Sequence, residues 1–148
     1  MNTSKALLFI AALMALLAAS LQASPALAQG NAELVKIQQQ LLKVMARQEP
    51  LTAGDIKTYL ANAEAIYRLR YEPEKLQEVS EGISAWDDDR FAYVTTKVAV
   101  GMSLLMKPDD ARNRSLPAFA RPTQAELDLI KRHLDELTRA MDAIRAKY

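Results

Sequence analysis

Pro122-Thr123-Gln124-Ala125-Glu126 opens the stretch that decides the fold class. Leu127, Ile130, Leu134, Leu137, Met141, Ile144 and Tyr148 follow it at alternating steps of three and four. Thr-x-x-Glu is a capping box: the threonine hydroxyl accepts the third helical amide and the glutamate reaches back to the cap's own amide. The 3-4 spacing puts the apolar side chains on one stripe of a helix, with charged residues on the other faces. Residues 124–148 therefore read as one long amphipathic helix with a coiled-coil-like seam, which could serve inside the chain or as a homodimer contact.

Upstream the same period recurs, punctuated by prolines. Leu34, Ile37, Leu41 and Val44 mark a helix over about 32–48, stopped at Glu49-Pro50 because proline clashes with the preceding turn. Thr52-Ala53-Gly54-Asp55 resembles a second capping box, with Asp in place of Glu. It opens a helix carrying Ile56, Tyr59, Leu60, Ala63, Ile66 and Tyr67 on its apolar face, running to about Arg70. Pro73 suits a first helical turn, and Leu76, Val79, Ile83 and Trp86 step 3-4-3 behind it. The step from Trp86 to Phe91 is five residues and breaks the register at Asp87-Asp88-Asp89, residues that start helices better than they continue them. The face resumes with Val94, Val98, Met102 and Leu105 until Lys107-Pro108, and residues 111–121 read as an aperiodic loop. Gly82 and Gly101 stand isolated in helical patterns, as places for helices to approach closely. Four apolar stripes, short connections and no convincing strand predict an all-α fold, an antiparallel four-helix bundle, or five helices with a break near 87–90.

The N-terminus carries a different signal. Lys5 precedes an apolar run from Ala6 to Ala19, and Ala26-Leu27-Ala28 offers a small-x-small cleavage site. This is the layout of a secretory signal peptide over 1–28, whose removal leaves one helical domain at 29–148. Fourteen apolar residues span about 21 Å as a helix, short of the roughly 30 Å hydrocarbon core, so no integral span is expected after cleavage. The expected location is the periplasm or the secreted fraction. The sequence holds no cysteine, so stability there must come from packing without disulfides.

Loss of Lys5 from the nineteen basic residues leaves eighteen, against eighteen acidic ones. A neutral chain is a poor nucleic-acid binder, and none is expected. The charges are nonetheless unevenly spread. Glu72 to Asp89 holds seven acids and one lysine, whereas Lys107 to Arg121 holds four bases and two acids.

Local motifs for chemistry are absent. There is one histidine, His133, with Glu136 three residues on, too few donors for a zinc site. No nucleophile motif and no phosphate loop occurs, so no metal, cofactor or catalytic residue is assigned. Two function classes remain. The preferred one is a non-enzymatic exported protein that binds another macromolecule, in the manner of a chaperone, adaptor or inhibitor. Its partner would be another exported protein, touched by Trp86, Arg112, Arg114 and Phe119. The alternative is a small anionic-ligand binder or helical enzyme with Arg68, Arg90 and Lys97 converging between helices. Lys97 stands out as a cation in an apolar block, and an inward-facing ammonium must meet a carboxylate or an anion. An enclosed cavity lined by these cations would favour the second class.

Overall fold

A computed structural model describes residues 31–148; the segment 1–28, expected to be a signal peptide, lies outside them, as do the side chains of Leu34, Ile37 and Leu41. Among the described residues the chain forms eight α-helices: α1 (Asn31–Ala46), α2 (Ala53–Ala61), α3 (Ala63–Arg68), α4 (Leu76–Gly82), α5 (Asp88–Met106), α6 (Ala111–Arg114), α7 (Gln124–Arg132) and α8 (Leu134–Arg145). Single 3-10 turns lie at Pro73–Lys75 and Ala118–Ala120. The all-α class stands. The four- or five-helix bundle does not, because the expected rods are cut into shorter pieces.

Each cut has a local cause. At Asn62 the backbone leaves the helical region, at φ −115° and ψ 11°. The Asn62 side-chain amide donates to the Thr58 carbonyl at 2.8 Å, a bond that competes with the helix ladder. The expected long helix over 124–148 breaks at His133, with φ −104° and ψ 7°. There the His133 N–H donates to the Ile130 carbonyl, three residues back, at 3.1 Å. Across the bend most of the stripe stays covered: Ile130, Leu137, Met141 and Ile144 are buried and Leu127 and Leu134 half-buried, whereas Tyr148 at its end is exposed; Leu129, outside the stripe, is buried as well. Ahead of α5 the chain makes the Pro73 turn and α4, then leaves helix until Asp87 caps α5 by accepting the Arg90 N–H at 2.7 Å. The stretch 111–121 is more ordered than its pattern suggests. It holds α6, capped by Asp110, and the second 3-10 turn.

The helices wrap around α5 rather than standing side by side. This helix packs against α1, α2, α4, α6, α7 and the 118–120 turn, while α3 packs on α8. Phe91, Ala92, Tyr93, Val94, Thr96, Lys97, Val98, Val100 and Gly101 of α5 are all buried. A helix buried on most of its circumference belongs at the centre of a fold. Ile56, Ile130 and Leu137 close the core around it, each worth roughly 1.5–3 kcal/mol on burial. Gly101 leaves room for α7 against α5: a Cβ there would collide with Ile130 Cδ1. Among the described residues no helix is long and apolar enough to cross a membrane.

Candidate functional site

Two groups of charged residues compete for a functional role, one inside and one on the surface. The inner group grows out of the two capping boxes. Thr52 and Asp55 cap α2 reciprocally, as Thr123 and Glu126 cap α7. Both carboxylates also reach across the fold. Asp55 Oδ1 accepts the Trp86 indole N–H at 3.1 Å, and Oδ2 accepts the Arg90 guanidinium. Glu126 Oε2 accepts the Leu51 amide at 2.9 Å and the Tyr93 hydroxyl at 2.7 Å, while Oε1 accepts the Thr123 amide at 3.0 Å. Arg90 donates further to the carbonyls of Glu49 and Pro50. Lys97 Nζ donates to the carbonyls of Phe119 at 2.9 Å and Arg121 at 2.7 Å. The Arg90 and Lys97 cations flank the Tyr93 ring at 5.1 and 5.3 Å.

The electrostatics follow from this wiring. Burial pushes the Asp55 carboxyl up, but the Arg90 and Thr52 hydrogen bonds and the Arg90 charge outweigh it and hold its pKa below the ordinary value. Burial also opposes ionisation of Glu126, yet the amides of Thr123 and Leu51, the Tyr93 hydroxyl and the Lys97 charge bring its pKa down. Burial lowers the Lys97 pKa, and the Glu126 charge offsets that only in part. Burial and the bond to Glu126 together push the Tyr93 phenol up. Two carboxylates balance two cations, and their donors and acceptors are met by the chain itself. The arrangement ties helices together.

Arg68, the third cation expected beside Arg90 and Lys97, is not part of this network. It is exposed and pairs with Glu72 at 2.9 Å. With Glu72, Lys75 and Glu78 it lines a separate cleft of about 150 Å³, where Lys75 also pairs with Glu72, at 3.2 Å. Arg68 and the Arg90–Lys97 pair are therefore engaged by different partners. His133 sits at the α7–α8 bend, 3.8 Å from Glu136. Among the described residues no cluster of histidine, cysteine and carboxylates is placed to hold a metal ion.

The surface group surrounds a larger cleft, about 270 Å³, where the C-terminal half of α5 meets α6. Ala99, Val100 and Leu116 supply apolar walls, and Ser103 and Asn113 lie between them. Arg70, Lys107 and Arg112 bring three cations against one carboxylate, Asp110. Asp110 lies 3.5 Å from Arg112 Nε and caps α6. The walls are firmly built. Buried Asn113 accepts the Ser103 hydroxyl at 2.9 Å and donates to the carbonyls of Ser103 and Lys107 at 3.2 and 2.7 Å. Arg121 donates to the Leu116 carbonyl at 3.3 Å and to the Asn113 carbonyl, closing the loop from inside. Arg70 and Lys107 are exposed and make no ion pair among the described residues. Exposed Arg114 lies on α6, two residues from Arg112 in the chain.

Of the expected contact residues, Arg112 and Arg114 are therefore exposed, and Arg112 lines this cleft. Phe119 is half-buried and packs onto the core. Trp86 does not belong to the surface: it is 6% exposed, its ring meets Phe91 edge-on, and its indole N–H is committed to Asp55. The sequence pattern did not single out Arg70 and Lys107 as site residues. Lys107 lies within the basic run and signals itself by charge, whereas Arg70 reads as an ordinary residue of a helix's last turn. Comparison with protein-family models, characterised proteins and solved structures finds no match to this chain.

Proposed function

We propose that the protein is exported to the periplasm or beyond and acts there without catalysis, binding an acidic region of another exported protein at the Arg70–Lys107–Arg112 cleft. The supporting observation is the division of its cations. Arg90 and Lys97 are consumed by the chain's own carboxylate and carbonyls, while Arg70 and Lys107, without an ion pair among the described residues, and Arg112, paired with Asp110 at the surface, line one concave, solvent-facing site. Opposite charge at a rim steers encounter and fixes orientation more than it adds affinity. The distribution along α5 suits that role. Asp87 to Asp89 mark its N-terminal end and Lys107 its C-terminal end, about 28 Å apart at helical rise. An acidic partner is thus drawn to one end and repelled from the other. Ile130, Leu137, Met141 and Ile144 of the apolar seam are already buried in their own chain, so homodimerisation through 124–148 is the weaker use of these residues.

Two measurements test the proposal. N-terminal sequencing of the protein from the exported fraction should begin at Gln29; full-length chain retained in the cytoplasm would contradict export. A photo-crosslinking residue at position 114, used in the producing cells, should give one defined adduct with an acidic exported protein. No adduct would contradict the binding role.

A further inference from the structure

A patch of exposed tyrosines adjoins the basic cleft, and Arg70 joins the two. Tyr71 and Tyr148 are 64% and 59% exposed, against 8% for Tyr67 beneath them. Their ring centres lie 6.0 Å (Tyr67–Tyr71), 6.2 Å (Tyr67–Tyr148) and 6.3 Å (Tyr71–Tyr148) apart, with the two exposed rings within 21° of parallel. The Arg70 guanidinium stands 5.0 Å from the Tyr67 ring centre and also lines the cleft. Tyr148 is held in place by its hydroxyl, which donates to Glu64 at 3.3 Å, and Glu64 in turn pairs with Lys147 at 2.9 Å.

We infer that the tyrosine patch is the second half of the binding surface, and that its occupant is a peptide segment bearing an aromatic residue next to its acidic ones. This rests on the proposed function of the cleft. The charges around the patch select the occupant. Apart from Arg70, the cations beside the rings are already paired, Lys147 with Glu64 and Arg68 and Lys75 with Glu72, so a continuous polyanion such as a nucleic-acid strand or an acidic polysaccharide must compete with these carboxylates as it crosses the rings. A peptide can place its carboxylates at Arg70, Lys107 and Arg112 and a neutral ring over Tyr71 and Tyr148. Ring and guanidinium distances put Arg70 and the Tyr71 ring at most about 11 Å apart, which an extended peptide covers in about three residues.

The test uses the purified chain and two labelled peptides with the same run of glutamates. One carries Trp three residues from the run, the other Ser. The Trp peptide should bind about five-fold more tightly to the wild type, the usual scale of an aromatic pair. In Tyr71→Ser and Tyr148→Ser variants, with wild-type circular dichroism, the ratio should fall to about one. A wild-type ratio near one overturns the inference while leaving the basic cleft as a binding site. A ratio that survives both substitutions also overturns it. Failure of both peptides to bind overturns the inference and the cleft reading together. Tighter binding of a single-stranded oligonucleotide or of polygalacturonate than of either peptide overturns the choice of a peptide.

Discussion

Glu126 shows how one side chain does local and long-range work at once. It caps α7 and also receives an amide from the 49–52 connection and a hydroxyl from α5. Truncation leaves three donors without acceptors and Lys97 without its nearby counter-charge, so Glu126→Ala should cost about 3–5 kcal/mol in urea unfolding. The pH dependence follows. Asp55 and Glu126 have folded pKa values below their unfolded values, so their contribution is fully present above about pH 4–5 and fades as pH falls through the lower folded values. The urea midpoint should drop steeply below about pH 4, and Glu126→Gln should flatten that drop; an unchanged slope would contradict the ionic role. The glycines provide a contrasting pair. Gly101 faces Ile130 with no room for a methyl, and Gly101→Val should cost about 1–3 kcal/mol by overpacking. At Gly82 a Cβ would meet nothing within 4 Å, and Gly82→Ala should be neutral or stabilise by up to about 1 kcal/mol.

At the scale of elements, the caps and the breaks at Pro50, at Asp87–Asp89 and at Lys107 were readable from sequence, and the breaks at Asn62 and His133 were not. A capping box is complete within four residues, so Thr52–Asp55 and Thr123–Glu126 declare themselves. The breaks at Asn62 and His133 are hidden because the apolar period runs through both, from Tyr59 to Ala63 and from Ile130 to Leu134. Only the preference of asparagine for backbone bonding hinted at the first. The order in 111–121 was hidden too, because it depends on contacts from α5. Lys97 supplies one of them, holding the carbonyls on both sides of Ala120. Lys97→Met should therefore speed hydrogen exchange at the Ala120 and Arg121 amides by about ten-fold or more, leaving the α8 amides unchanged. Equal acceleration throughout would mean that Lys97 stabilises the whole fold and does not specifically brace this segment.

At the scale of the whole molecule, the chain is an all-helical fold wound on α5, with its acidic and basic ends separated along that helix. The apolar stripes gave the helical class because periodicity is local. They could not reveal which helix is central, although the nearly continuous burial of Phe91 to Val94 is what a central helix requires. The site was half legible. Arg112 and Arg114 sit in a visible basic run, whereas Arg70 reaches the cleft only through tertiary packing, and Trp86 looked like an anchor until Asp55 and Phe91 enclosed it. The most direct test of a binding surface at this cleft is the dissociation constant of the crosslinked partner, once purified, for three forms of the chain. Lys107→Glu with Arg112→Glu should weaken binding about ten-fold or more, while Lys36→Glu with Lys131→Glu, exposed on α1 and α7, should leave it unchanged. Equal weakening by both pairs, or by neither, would contradict it.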